Sequence, residues 1–328
     1  MKRPPLLILA PAALAILIFA VYFVVWRHGA AAMRRAVDDW AEDRRALGAA
    51  VSFDSLKTTG FPLFLRGVLS DVSIGEGDSW TWSAPKLFID AQPLAPDRLI
   101  FSAREPHLLD VGGAGRWRIA APDGRASIEG DKERGWELNI EAGKSRLQRS
   151  DGLLLSADSF LLSASPNAVE ADRIFIGLLA KNVGILGLHA SAAFDQVDCA
   201  FAATGVASVS EGAMAWRNAG GAIEIQKLLI VAGGGKLSIS GEIGIDAQGF
   251  PAGTLAVEIS NPAPLVEAFR DVGAIRSEDS NEILAALTLA AVAGGGRIAA
   301  PLILTDGEAS FAGIRLGPLP KLDSAGGP

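Results

Sequence analysis

The residues best suited to chemistry in this 328-residue chain are three histidines and one cysteine. His28, His107 and His189 stand far apart, and no His-Glu-x-x-His sequence places two of them on one helical face, so no metal site is predicted. Cys199 has no partner for an intrachain disulfide or for a zinc site built from cysteines. His107 follows a Glu-Pro pair near the end of a predicted strand, where a surface or capping role is more common than catalysis.

Motifs for phosphate binding and for nucleophilic catalysis are also missing. Residues 143–145 read Gly-Lys-Ser, like the end of a phosphate-binding loop, but Leu138 stands where that loop has its first glycine. The glycine clusters at 233–235 and 294–296 lack the spacing of a dinucleotide site and are typical of loops and strand ends. No Gly-x-Ser-x-Gly elbow occurs. We therefore expect a protein without enzymatic activity and without a cofactor.

Aromatic residues on predicted strands offer binding chemistry instead. Trp80 and Trp82 are two positions apart and share one face of a strand, where they either pack in the core or contact a ligand. The residues that could contact an apolar ligand are Trp80, Trp82, Phe101, Trp117, Trp136 and Phe160. Such a site suits acyl chains, because each buried CH₂ contributes about 0.8 kcal/mol. Nucleic acid is not an expected partner, since the formal net charge of −7 supplies no basic footprint.

The elements that must position these residues begin with an apolar N-terminal segment. No residue from Pro4 to Trp26 carries a charge, and about 20 apolar residues in a helix cross a bilayer. Tyr22 lies near its far end, where amphipathic rings favour the interface. A cleaved signal peptide is the alternative, with alanines at 30–32 for a peptidase, but charged residues intervene. The prediction is an uncleaved anchor, with residues 1–28 forming a cytoplasmic tip and one transmembrane helix.

The orientation of this anchor is not set by charge, because basic residues flank both of its ends. A short leading tail and a large trailing domain favour an N-terminus in the cytoplasm and a C-terminal domain in the periplasm. The sequence thus predicts a single-pass protein of the inner membrane, with the membrane itself as its first partner.

Residues 29–50 are predicted to form a helical stalk. One apolar stripe, interrupted by Arg44, has spacings of three, four and seven, and charged residues occupy the other faces; its members are Met33, Val37, Trp40, Leu47 and Val51. This stripe either packs against the rest of the protein or binds a partner or a membrane surface.

Beyond the stalk the apolar period changes from helical to two. Short runs separated by turn residues alternate in this way, and examples begin at Leu87, Leu99, Trp117, Trp136, Phe160 and Leu237. The predicted fold is therefore mainly β (α+β), with a large curved antiparallel sheet that forms either an apolar groove or a packed sandwich. We divide it into a first β-rich half, 51–165, and a second half, 166–328, with short helices and a closing hairpin. The stretch 167–215 shows no clean period.

Two short helices are expected in the second half. Asn261 precedes Pro262, which suits the first position of a helix, so Asn261 is the predicted N-cap. Asp279 with Glu282 resembles a capping box and predicts a second helix that ends at the glycines 294–296.

Several short motifs, in their order along the chain, resemble a family of proteobacterial envelope proteins known as the domain-of-unknown-function 2125 family. These motifs are Gly60-Phe61-Pro62, Trp82-Ser83-Ala84-Pro85, Trp216-Arg217-Asn218-Ala219-Gly220-Gly221, Asp246 with Pro251-Ala252-Gly253, Asp306-Gly307 and Leu316-Gly317-Pro318-Leu319-Pro320. The resemblance implies one N-terminal anchor, a periplasmic body and no known catalytic residues. The chain is more distantly similar to AsmA-like proteins, which implies a curved sheet around an apolar groove and a role in lipid movement or outer-membrane upkeep.

The expected function is that of a non-enzymatic, membrane-anchored periplasmic protein that binds or shields lipid-like molecules, such as a phospholipid or another acyl lipid, in envelope maintenance. The alternative is an interaction or scaffold protein for envelope assembly, with a packed core, no ligand and an envelope protein as its partner.

Overall fold

A computed structural model describes residues 6–322 of the chain except 78, 93–94, 132–134, 168–171 and 188–190. Contacts divide the chain into two compact units, Met1–Ile119 and Ala120–Pro328, which we call the N-terminal and C-terminal units. The contacts change at 119/120, and the division of the β-rich part at 165/166 stays a prediction from the sequence. Both units are built mainly from antiparallel strands, so the prediction of a mainly β fold with a long N-terminal helix is confirmed.

In its described residues, the N-terminal unit contains one helix and seven strands, the last of which ends one residue beyond the unit. These elements are α1 Leu6–Ala46, β1 Ala49–Ser52, β2 Ser55–Thr59, β3 Leu65–Glu76, β4 Trp80–Gln92, β5 Ala95–Arg104, β6 His107–Val111 and β7 Gly115–Ala120. Strand β3 is central, because it pairs with β1, β2 and β4.

The C-terminal unit contains the remaining strands and the short helices. Its first elements are β8 Arg125–Asp131, β9 Gly135–Ala142, β10 Ser145–Arg149, β11 Leu154–Ala157, β12 Ser159–Pro166, β13 Arg173–Leu186, β14 Ser191–Thr204, a 3₁₀ turn Val206–Glu211 and α2 Ala213–Asn218. Its later elements are β15 Ile223–Ala232, β16 Gly235–Ile245, β17 Pro251–Ser260, α3 Pro262–Asp271, α4 Ser280–Ala293, β18 Arg297–Thr305, β19 Glu308–Phe311 and β20 Ile314–Pro318. From β12 to β18, strands that follow one another in sequence pair directly.

Helix α1 combines the predicted anchor and stalk in one uninterrupted helix of 41 residues. It is the one helix of the described part of the chain that is long and apolar enough to cross a membrane. Its large apolar side chains from Leu14 to Val25 are exposed around the helix, which is typical of a segment surrounded by lipid. The structure is therefore consistent with a single-pass membrane anchor.

The second half of α1 packs on the sheet of the N-terminal unit. Ala30 and Met33 are buried in one core with Leu65, Leu69 and Val72 of β3. This approach is close, since a Cβ added at Gly67 of β3 would lie 3.0 Å from the Met33 sulfur. The contact fixes the end of the anchor helix to the β-rich part of the same unit.

The predicted stripe on this helix is only partly right. Met33 and Val37 face the core, but Trp40 is 40% exposed and Leu47, which lies beyond the helix, is 79% exposed. Ala30 and Ala41 are buried instead. Small side chains let the helix come close to the strands, so the contact depends on size as well as on apolar character.

Helix α3 covers part of the sheet of the C-terminal unit. Its side chains Leu265 and Ala268 are buried with Phe194 of β14 and Ala232 of β15. Pro262 occupies the first turn as predicted, but Asn261 adopts a left-handed conformation and its side chain caps no backbone group. Helix α4 begins directly after Asp279 as predicted, yet that carboxylate also forms no cap. It accepts a hydrogen bond from Arg276 Nε at 2.8 Å instead.

The motif at residues 216–221 forms a tight contact at the end of α2. The Trp216 indole Nε1 donates a hydrogen bond to the Thr204 carbonyl at 2.7 Å. Its ring then lies directly over Gly221, where a Cβ would overlap the indole. Glycine is thus required at this position because the ring comes so close to the backbone.

This contact predicts the effect of one methyl group. We expect Gly221→Ala to lower the free energy of unfolding by about 1–3 kcal/mol, because the added methyl displaces the Trp216 ring. The matched control is Gly244→Ala, whose Cβ would approach nothing closer than 3.7 Å. That change should leave stability unchanged or raise it by about 0.4–1 kcal/mol. Denaturant unfolding of the full-length protein in detergent, followed by tryptophan fluorescence, would measure both, and equal stability of the two variants would contradict the contact.

Candidate functional site

One face of the sheet in the C-terminal unit is apolar across eight neighbouring strands. Residues directly opposite each other on paired strands point to the same side of a sheet, so the strand register defines rows of side chains. The first row is Ala142, Phe160, Ala180, Val197, Ile230, Leu237, Ile259 and Ile298. The strands that contribute to it are β9 and β12 to β18 in the order of pairing.

Two further rows lie on the same side, two residues apart along the strands. The second row is Ala126, Ile140, Leu162, Leu178, Cys199, Leu228, Ile239, Val257 and Ala300. The third row is Ile128, Leu138, Ala164, Ile176, Phe201, Ile225, Gly241, Leu255 and Leu302. No charged or amide side chain interrupts the three rows, which together we call the apolar face.

A β-bulge in β15 keeps this face continuous. Leu228 and Ile225 are three residues apart, and each still belongs to an apolar row. The extra residue is Gln226, which has no partner on β14 and is exposed. Without the bulge, alternation would send Ile225 to the other side of the sheet.

The apolar face is only partly covered within the described residues. Helix α3 packs over the first row. Its side chains Leu265 and Ala268 form one core with Phe194 and Ala232, and the row residues Val197, Ile230, Leu237 and Ile259 pack against this core. Further along the second row, the side chains on β9, β12 and β13 remain half-buried: Ile140, Leu162 and Leu178. A large apolar surface that stays partly accessible is typical of an interaction or ligand site.

Cys199 lies in the second row, between Leu178 and Leu228. Burial raises the pKa of its thiol above the ordinary value, while a hydrogen bond with the backbone of Leu178 acts in the opposite direction. The thiol therefore stays neutral near pH 7, as suits an apolar surface.

A cavity of about 440 Å³ lies beside β8, β9, β12 and β13. Glu141, Leu161 and Leu179 of its lining are paired with one another and lie on the side of the sheet opposite the apolar face, because each is one residue away from a member of the first row. Ala142, Phe160 and Leu179 give it apolar walls. Arg125 and Glu141, which are also in its lining, face each other on β8 and β9 and form an ion pair. The hydrogen bond that Arg125 donates to Glu141 raises the pKa of Arg125, so the guanidinium stays charged. The size is within the range of small-molecule sites, and the lining places charge beside apolar walls.

Of the six aromatic residues predicted to contact a ligand, Phe160 is the one that lines this cavity. Trp82 and Phe101 pack against the core of the N-terminal unit. Trp80 on β4 is 36% exposed and lies opposite Val111, and Trp136 on β9 is 42% exposed and lies opposite Gly130.

Trp117 is half-buried on β7, opposite Leu109 of β6. The ring of His107 meets Trp82 edge-on at 5.9 Å, and its Nε2 lies 3.3 Å from the Ala103 carbonyl. Within the described residues, no group of three His, Cys, Asp or Glu side chains is arranged to hold a metal ion.

Sequence reasoning missed the aliphatic rows, which contribute most of the apolar face. Leu178 and Cys199 fall in the stretch where no period was visible, and their alignment depends on how β12, β13 and β14 pair. Strand register is a tertiary property, so the sequence carried no direct signal for it.

Fold and site together define a β-sheet protein with an N-terminal helix fit to cross a membrane and one broad apolar face. Residues 26–320 match a family described as "Uncharacterized protein conserved in bacteria (DUF2125)". The match covers most of the chain, so the chain belongs to that family, as its motifs suggested. Comparison with curated proteins and with solved structures gives no match.

The environment of Cys199 predicts its reactivity. We expect an apolar maleimide to label the native protein faster than a charged thiosulfonate, because the thiol lies on the apolar face. Labelling should also need a higher pH than a free cysteine does, since burial raises the thiol pKa and lowers the thiolate fraction. Mass spectrometry over a pH series would measure both rates.

The control is Asp195→Cys in a Cys199→Ser background, because residue 195 is exposed on the same strand. Charged reagent should label this control at the rate of a free thiol. Equally fast labelling of Cys199 by the charged reagent would show that its surroundings are not apolar.

Proposed function

We propose that this chain is a non-enzymatic, membrane-anchored periplasmic protein that binds or shields lipid-like molecules in envelope maintenance. The observation that carries the proposal is the apolar face, which α3 covers only in part. Its first row extends over eight strands, and its second and third rows extend over nine. An acyl chain lying along these rows gains about 0.8 kcal/mol for each CH₂ removed from water. Many weak contacts of this kind bind a flexible chain without a specific polar pocket.

The chemistry of the rows favours an apolar ligand. The three rows contain no charged or amide side chain, so a wholly polar ligand would lie against apolar side chains, which disfavours it. The ion pair of Arg125 and Glu141 lies on the other side of the sheet, because Arg125 and Glu141 are each one residue away from a member of the rows.

Placement in the periplasm is part of the proposal. Its support is that one candidate span, at the N-terminal end of the described residues, precedes a large β-rich body. Large domains translocate with little regard to flanking charge, so the basic residues after the span do not oppose export.

An interaction or scaffold role is the second candidate, and one observation favours it. Within the described residues, strand β20 pairs with β19 and with no other strand, and it exposes the apolar side chains Ile314 and Leu316. An exposed apolar strand at a sheet edge is a template for adding a strand from another protein. This candidate predicts a reproducible protein partner and an apolar face that holds no ligand.

Native mass spectrometry with lipid extraction, on full-length protein purified in detergent, tests the lipid proposal. We expect wild-type protein to retain lipid, and Ala142→Phe to retain less, because the added ring occupies the β9 end of the first row on the apolar face. Asn139→Phe is the matched control, since it adds the same ring on the same strand but toward the opposite face. Lipid bound around α1 should be the same in the wild type and in both variants, so it does not affect the difference in bound lipid between them. Wild-type protein without bound lipid, or equal lipid in both variants, would refute the proposal.

A further inference from the structure

The loop between β2 and β3 folds back along α1. Its residue Phe61 is surrounded by four aromatic rings of the helix, from Phe19, Tyr22, Phe23 and Trp26. The ring centroids of Phe61 and these neighbours are 5.2–6.0 Å apart, with three pairs close to edge-to-face. Aromatic pairs in this geometry attract each other beyond the area that they bury. The loop is therefore held against the helix and not free in solvent.

Two hydrogen bonds from the helix satisfy the loop backbone. The Tyr22 hydroxyl donates to the Pro62 carbonyl, and Trp26 Nε1 donates to the Phe64 carbonyl at 3.0 Å. Within the loop, the Phe64 amide donates to the Gly60 carbonyl at 3.1 Å. Irregular backbone is tolerated at membrane depth only where protein groups satisfy it, and this loop meets that condition at these three groups.

The position of this contact along α1 places the loop at the level of the bilayer. Phe19 and Phe23 belong to the uncharged run that ends at Trp26, and the first charged residue after it is Arg27. At 1.5 Å per residue, Phe19 lies roughly 12 Å below Arg27 along the helix axis. If α1 crosses the membrane, a side chain that packs on Phe19 lies within the apolar layer.

The outer surface of the loop is apolar and exposed. Leu63 at its tip is 81% exposed, and Pro62 beside it is exposed as well. No residue from Thr58 to Leu65 carries a charge, whereas Lys57 and Arg66 flank the segment. Arg66 is held by Asp90, with Nε 2.6 Å from the carboxylate. Apolar residues at the tip and cations at the base are the pattern of a segment that enters lipid up to the headgroups.

We propose that residues 61–64 insert into the leaflet next to the C-terminal end of the span and form a second membrane contact. The ligand is the bilayer itself, with acyl chains around Leu63 and Pro62 and headgroups near Lys57. The N-terminal unit is then held at the membrane surface by the helix and by the loop together. This inference depends on α1 spanning the membrane and is independent of lipid binding by the C-terminal unit.

Depth-dependent quenching tests the proposal on the full-length chain. Leu63→Cys in a Cys199→Ser background is labelled with the fluorophore NBD and reconstituted into phosphatidylethanolamine–phosphatidylglycerol vesicles. We expect a blue-shifted emission that nitroxide-labelled acyl chains quench and that aqueous iodide does not. The matched control is Leu47→Cys, which is also apolar and exposed but lies roughly 30 Å further along the axis of α1. Its emission should resemble that in water and respond to iodide only.

A second variant separates insertion from nonspecific attraction of the dye to lipid. Phe61→Ala removes the ring that the helix aromatics surround, so quenching at residue 63 by acyl-chain nitroxide should fall while the circular dichroism spectrum stays unchanged. A water-like Leu63→Cys spectrum, or equal acyl-chain quenching at residues 63 and 47, would overturn the proposal. Unchanged quenching in the Phe61→Ala variant would do the same, because insertion would then not depend on the helix contact.

Discussion

The constraint on which this structure depends is that an apolar sheet face must be kept from water. The N-terminal unit meets it with its own anchor helix, since Ala30 and Met33 of α1 lie in the same core as Leu69 of β3. In the described part of the C-terminal unit, α3 packs on the first row of the apolar face, while Ile140, Leu162 and Leu178 of the second row stay half-buried. The two units thus differ in how completely their apolar sheet faces are covered. We propose that the incompletely covered face of the C-terminal unit is the functional one.

Helix α1 has two environments along its length, and its residue types follow them. Before Trp26 its large side chains are exposed and apolar, whereas from Ala30 the residues that face the sheet are small or flexible. Because the helix is uninterrupted, the two parts cannot rotate independently as a jointed stalk would. The orientation of the N-terminal unit relative to the span is consequently built into one rigid element.

Much of the fold could be predicted from the sequence, because alternating apolar residues directly indicate strands with one buried face. The prediction failed to resolve β13 and β14, the two 14-residue strands, since apolar residues such as Phe175 and Leu179 also occupy the opposite face. Positions of α3 and α4 were right, but the capping side chains were not, because Asp279 pairs with Arg276. For the site, the sequence led us to predict large aromatic residues. The aliphatic rows were missed because they depend on which strands pair and in which register, and no local sequence pattern encodes this.

The bulge at Gln226 also bears on how sequences of this family can change length. Beyond it, β15 is out of phase by one residue, and both neighbouring strands are adjusted to that offset. Deleting one residue there would restore simple alternation but reverse inside and outside for Ile225 and Ile223. A homologue that lacks the extra residue must therefore have exchanged apolar and polar positions in the first part of this strand. The position of the bulge therefore shows which residues of a distant relative are equivalent to those of β15.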